Sequence, residues 1–121
     1  MFDSDNKPQG LKRIYLATLN SIRAFRWLVQ NEKAFVQELF LLVICVPITF
    51  LFDISFTEQV VLIIAVLFII FTEIVNTAIE AVVDRIGLEI HPLSGLAKDL
   101  GSAAVLVSIV IASLTWLAIL I

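Results

Sequence analysis

The sequence predicts an all-α membrane protein, with three transmembrane helices preceded by an amphipathic helix in the interface. Three observations carry that expectation. Sixty per cent of the 121 residues are hydrophobic and the mean hydropathy is +1.04, more apolar surface than a soluble domain of this length can hide. The final run, Gly101–Ile121, holds no charged residue and reaches about 30 Å at about 1.5 Å per residue, the thickness of the hydrocarbon core. The charges gather in a few short stretches. One domain, residues 1–121, is all that such a length supports.

The elements follow in order. A surface helix over about residues 9–31 has apolar positions at Leu11, Ile14, Tyr15, Thr18, Ile22, Phe25 and Val29, a helical spacing. Arg13, Arg23 and Arg26 lie mostly off that stripe, and Trp27 suits the headgroup level. The first span covers about 34–54, around the uncharged run Leu39–Phe52, and Pro47 is expected to kink it or to be tolerated with help from neighbouring helices. Asp53–Glu58 reads as a tight turn. The second span, about 59–86, is uncharged to Thr72 and then carries Glu73, Glu80 and Asp84. Gly87–Leu100, with Pro92 and Gly95, reads as a loop before the third span, about 98–121.

Cys45 is the only cysteine, so one chain has neither a disulfide framework nor a thiol metal site. The polar N-terminal decapeptide lacks an apolar core, and no cleavable signal peptide is expected. Lys7, Lys12, Arg13, Arg23, Arg26 and Lys33 precede the first span, Arg85 and Lys98 flank the Gly87–Leu100 loop, and the Asp53–Glu58 turn has no basic residue. The positive-inside rule therefore puts the N-terminus and that loop in the cytoplasm and the C-terminus outside.

On a helical wheel Glu73, Asn76, Glu80 and Asp84 fall within about 80°, and Thr77 borders the arc. Ionisable groups at membrane depth are costly and normally line a site or a polar cavity. Glu80 and Asp84, one turn apart near the cytoplasmic end, suit an oxygen-liganded cation such as Mg²⁺. Glu73 is deeper and less well solvated, which suits a general base. Plainer roles stand beside these: Asp84 and Arg85 as interface charges, Asn76 as interhelical glue, and His91 beside Pro92 as a loop residue. In the loop, Lys98 can neutralise phosphate, while Glu89 and Asp99 can accept from a nucleotide's amine or hydroxyls. No phosphate-binding P-loop and no glycine-rich kinase loop is present. Spacing alone therefore stops at a polar intramembrane site, with metal assistance as one option.

The run Glu73-Ile-Val-Asn-Thr-Ala-Ile-Glu80-Ala-Val-Val-Asp84-Arg-Ile-Gly, followed by Glu89-x-His91-x-Leu-Ser-Gly-x-Ala-Lys98-Asp99-x-Gly-Ser-Ala-Ala-Val, closely resembles the prokaryotic diacylglycerol kinase family. Arg13 and the segment Asn31-Glu32-x-Ala34-Phe35-x-Gln37-Glu38 agree with it, so the resemblance extends over essentially the whole chain. It implies a homotrimeric bundle in the bacterial inner membrane, with active sites shared between protomers and open to the cytoplasm, and the C-terminus in the periplasm. The implied reaction moves the γ-phosphoryl group of ATP to 1,2-diacylglycerol, with Mg²⁺ as cofactor and phosphatidic acid as product. By motif position Glu73 resembles the family's base, and Glu32 and Glu80 its Mg²⁺ ligands. Arg13, Asn20, Glu32, Glu80, Glu89, His91, Lys98 and Asp99 match nucleotide-contacting positions, Asn20 standing where relatives commonly carry tyrosine. Arg26, Ala34, Phe35, Gln37, Glu38 and Ser102, with Glu73 and Asn76, match the lipid side.

Three other readings stand beside this one. Within the family, some members phosphorylate undecaprenol. From another class, a small ion-coupled transporter would use Glu73 alone, and would leave Glu32 and the Glu89–Asp99 stretch without a task. A noncatalytic scaffold would tolerate loss of Glu73. The small residues Ala97, Gly101, Ala104, Ser108 and Ala112 recur near four-residue spacing and are expected to let third-span helices of an oligomer approach closely.

Overall fold

The computed structural model describes residues 9–121; Lys7 and most of the polar decapeptide lie outside them. Four helices account for most of the chain: α1 (Leu11–Asn31), α2 (Lys33–Thr49), α3 (Phe56–Ile86) and α4 (Pro92–Leu120). The chain divides into a unit ending at Val36 and a second unit, Gln37–Ile121. The boundary falls inside α2.

In the first unit, Gly10 precedes α1 with φ of 66°, a left-handed backbone that glycine adopts without a steric penalty. The apolar positions Leu11, Ile14, Tyr15, Ile22, Phe25 and Val29 are exposed, as the interfacial reading of this stripe requires. The rings of Phe25 and Phe35 stack at 6.2 Å. Glu32, in extended backbone, ends the helix.

In the second unit, α2 stops at Thr49 rather than near residue 54. Pro47 has no N–H to continue the ladder, and the chain tightens into three-residue turns from Phe50 N–H to Pro47 O (3.1 Å) and from Leu51 N–H to Ile48 O (3.0 Å). Pro47 thus sits within the last turn of α2, two residues before its end. The Thr49 hydroxyl donates to Val46 O (2.6 Å) and accepts from Gln59 Nε2 (2.9 Å), tying the end of α2 to α3.

α3 starts three residues ahead of Gln59. Ser55 Oγ accepts from Glu58 N–H (3.1 Å) and Glu58 Oε1 accepts from Ser55 N–H (3.0 Å), a reciprocal capping box that satisfies two amides. The expected turn thus gives Phe56–Glu58 to the helix. The larger revision is at α4. Residues 92–100 are helical, because His91 Nδ1 accepts from Leu93 N–H (3.1 Å) and Pro92 occupies the first turn, where its missing N–H and fixed φ cost nothing. The connection between α3 and α4 shrinks to residues 87–91.

α3 and α4 pack antiparallel along their lengths. Trp116 Nε1 donates to Leu62 O (3.1 Å) at one end. Mid-way, Thr72 Oγ1 donates to Ser108 Oγ (2.9 Å), which in turn donates to Val105 O (2.6 Å). Gly101 lies against Asn76, and Lys98 pairs with Asp84 at 2.8 Å beyond it. Ala65, Ile69 and Ala112 form a buried cluster covered by Trp116. Gly101, Ser108 and Ala112 are the buried residues of α4. Gly101, Ser108 and Ala112 of the small-residue stripe thus face α3 of the same chain, while Ala104 is exposed and Ala97 half-buried.

The rest of α4 is bare. Leu106, Val107, Ile109, Val110, Ile111, Leu114 and Leu117 are all exposed, a surface that belongs in hydrocarbon rather than water. Both α3 and α4 are long and apolar enough to cross a membrane, each with an 18-residue stretch of mean hydropathy 2.5. The chain is an all-α membrane protein.

Ser108 is fully buried where the two helices are joined by hydrogen bonds. We expect Ser108→Val to lower stability in detergent by about 1–3 kcal/mol through overpacking and a lost acceptor. Trp116→Phe should cost about 1 kcal/mol, one hydrogen bond. Denaturant titrations of the two variants check the order.

Candidate active site

The buried face of α3 changes character along its length. From Leu62 to Ile70 it is apolar, through Ala65, Val66 and Ile69; from Thr72 onward it is polar, through Glu73, Asn76 and Thr77. The polar stripe therefore continues the packing face rather than lying opposite it. Glu73 is 8% and Asn76 7% exposed, while Glu80 is half-buried and Asp84 exposed, so the stripe runs outward toward water. The Thr77 hydroxyl donates to Glu73 O (2.9 Å). Asn76 Nδ2 donates to Glu80 Oε1 (3.3 Å), so the two expected site residues one turn apart are joined directly. Glu38 on α2 interacts electrostatically with Glu73, the like-charged carboxylate nearest in effect.

Two clefts flank this stripe in the second unit. One, of about 320 Å³, opens where α3 gives way to α4 and is lined by Glu89, His91 and Ser94 together with Val83, Ile86 and Gly87. A Cβ on Gly87 would meet Glu89 Oε1 at 2.9 Å, so glycine there leaves the Glu89 carboxylate room to fold over the backbone. His91 contributes through Nδ1 to the cap of α4, which places its ring at the cleft for a structural reason. The other cleft, of about 350 Å³, is mostly apolar, lined by Leu41, Cys45, Val66, Ile69 and Trp116 with Glu38 among them. Polar and apolar clefts of this size fall in the range of small-molecule sites.

The other expected residues are distributed as follows. Lys98 is engaged by Asp84 in a half-exposed pair, and Asp99 and Ser102 are exposed on α4. Gln37 is exposed at the start of the second unit. Arg13, Asn20, Arg26, Glu32, Ala34 and Phe35 belong to the first unit. There Arg13, Arg26 and Ala34 are exposed, Asn20 and Glu32 half-buried and Phe35 buried. Arg23 donates to Asn20 Oδ1 (3.4 Å). Reading the sequence overlooked Thr72, whose part depends on Ser108 of α4, and placed Gly101 in the small-residue stripe without its contact to Asn76. Nothing local marks either contact.

Sequence comparison decides the family. Residues 19–120 match the profile of the prokaryotic diacylglycerol kinases. The chain belongs to the prokaryotic diacylglycerol kinase family. It is similar to the diacylglycerol kinases of Pseudomonas aeruginosa (45% identity, spanning 92% of this chain and 90% of the relative) and Escherichia coli strain K12 (46%, 92% and 91%). The Haemophilus influenzae diacylglycerol kinase is 40% identical over 91% of this chain and 93% of its own. The protein is thus an enzyme, a membrane kinase of this family, and the transporter and scaffold readings fall away.

Since His91 caps α4, His91→Asn, which keeps a side-chain acceptor, should preserve the start of the helix. His91→Ala should release it. The check is hydrogen exchange: faster at the Leu93 and Gly95 amides in the alanine variant only.

Proposed function

We propose that this protein catalyses ATP- and Mg²⁺-dependent phosphorylation of 1,2-diacylglycerol to phosphatidic acid, with Glu73 as general base. The observation that carries the reading is the stripe on α3 that runs from buried Glu73 and Asn76 to half-buried Glu80, with a cleft bearing Glu89, His91 and Ser94 beyond its C-terminal end. The relatives' names supply the acceptor lipid.

Depth supports the roles. Glu73 is the eighteenth residue of α3, about 26 Å from its start at about 1.5 Å per residue. With the Ser55–Glu58 cap at the outer interface, its carboxylate comes just inside the opposite face of a core about 30 Å thick. The hydroxyl of a diacylglycerol lies just beneath the headgroups, at the same level. The acyl chains would follow the apolar cleft past Leu41 and Cys45, with Glu38 near the hydroxyl. The nucleotide would occupy the cleft of Glu89 and His91, with Lys98 and Asp99 near its polar groups; Arg13 and Asn20 are assigned to it by the resemblance alone.

Among the described residues no three His, Cys, Asp or Glu side chains cluster as a metal cage. That suits Mg²⁺, which takes one or two carboxylates and leaves its other positions to water and phosphate. Glu80, held through one oxygen by Asn76, and Glu32 are the carboxylates that would hold it. Bound there, the metal neutralises charge on the phosphates. Glu73 takes the lipid hydroxyl proton as the oxygen bonds to the γ-phosphorus and the bond to the β–γ bridging oxygen breaks, releasing ADP.

The assembly reading is a homotrimer in the inner membrane, as the resemblance implies, with three spans per protomer. At 17 residues α2 is about 25 Å long, and Phe50–Phe52, exposed and apolar, complete the first span. The N-terminus and the 87–91 connection would face the cytoplasm, and the C-terminus the periplasm.

Purified protein should phosphorylate diacylglycerol from ATP, and Glu73→Gln should lower turnover about 10²–10⁴-fold, the usual worth of a positioned base, with nucleotide affinity retained. Near-normal turnover in that variant would sink the base assignment. In mixed oligomers of Glu73→Gln and Glu32→Ala protomers, recovered activity is expected if sites are built from two chains. No recovery, once subunit exchange is verified, rules the shared site out.

A further inference from the structure

The Asn76 carboxamide is held by a residue that the reaction itself does not use. A Cβ built on Gly101 would collide with Asn76 Oδ1, and would also lie 3.2 Å from its Cγ and 3.8 Å from its Cα. The Gly101 Cα–H in that direction therefore points at Oδ1. That oxygen is fully buried and accepts no conventional hydrogen bond, an arrangement that normally costs free energy. Contacts from Cα–H to oxygen recur where helices approach closely, and offset part of that cost. The other end of the same carboxamide, Nδ2, donates to Glu80 Oε1. Its orientation is fixed from both sides: the nitrogen must face the carboxylate, and the oxygen faces the backbone of α4.

We propose that Gly101 is a positioning residue that holds Asn76 against Glu80, so that the glycine on α4 sets the carboxylate that the kinase reading assigns to Mg²⁺. This inference rests on that reading for the role of Glu80, but the geometry behind it does not. Any side chain at residue 101 must displace the carboxamide, since Asn76 is inside the α3–α4 contact and has no solvent to move into. Once it turns, Glu80 loses its donor and its fixed oxygen. The neighbouring Lys98–Asp84 pair is exposed and does not hold the helices apart to make space.

The test is a double-variant cycle on the full-length protein in detergent, using Gly101→Ala, Asn76→Ala and both together. Each is measured twice, by thermal unfolding without nucleotide and by the Mg²⁺ concentration giving half-maximal activity. Gly101→Ala alone should lower the unfolding midpoint and raise the Mg²⁺ requirement several-fold. In the Asn76→Ala background the methyl group enters vacated space, so the same change should neither lower the midpoint nor raise the requirement further. Equal effects in both backgrounds would overturn the proposal and leave Gly101 a packing residue. If Gly101→Ala alone fails to assemble, recovery of a folded protein in the double variant supports the proposal, and failure of both overturns it. An unchanged Mg²⁺ requirement beside a non-additive midpoint would also overturn it, since Glu80 would not be the group positioned. Absence of diacylglycerol phosphorylation by the unmodified protein would instead remove the kinase reading, and the unfolding cycle would still report on the Gly101–Asn76 contact.

Discussion

Ionisable groups within a membrane need shielding from lipid, and this chain provides it by laying one long helix against another. The cost of a carboxylate in hydrocarbon is several kcal/mol, so Glu73 and its neighbours stand only where a second surface covers them. α4 covers the neighbours Thr72 and Asn76 within the same chain, with Gly101 and Ser108 small enough to allow close approach, and Glu38 of α2 comes near Glu73 itself. The apolar half of the contact, with Trp116 bonded to Leu62 O, leaves the polar half to serve chemistry. Stability and site share one interface but occupy different stretches of it.

The division explains why so many polar groups of the stripe are locally satisfied. Thr72 bonds Ile69 O as well as Ser108, Thr77 bonds the carbonyl one turn back, and Asn76 bonds Glu80. Helical spacing of three or four residues makes the bonds to Ile69 O, Glu73 O and Glu80 possible without distant partners, and only Ser108 comes from the opposite helix. The side chains thereby gain fixed orientations before any ligand arrives, the condition under which phosphoryl transfer profits from positioning.

The sequence made the helices legible because membrane helices are written in long apolar runs. Their ends were less legible. The S-x-x-E capping signature at Ser55–Glu58 was present in the letters, yet a charge-bearing turn was the more conspicuous pattern. Pro92 reads as a breaker unless its place in the first helical turn is recognised, and His91 completes that cap through a side chain seldom used for it. Carboxylates on the α3 stripe stood out by their expense in lipid. Thr72 did not, since a threonine in a membrane helix costs little alone, and its meaning appears only with the opposite helix in place. The small-residue stripe on α4 was legible as a contact surface but not as to whose helix it meets.

The length of α3 has one more consequence. Its 31 residues extend about 46 Å, well beyond a hydrocarbon core of about 30 Å. On the proposed roles the reactive groups sit at fixed distances from the capped end, so their level relative to the lipid headgroups would follow the thickness of the host bilayer. A thicker membrane draws Glu73 away from the headgroup plane, a thinner one lifts it among the phosphates, and tilt of the α3–α4 pair absorbs part of the difference. The helix behaves as a depth gauge, matching the site to membranes of one thickness.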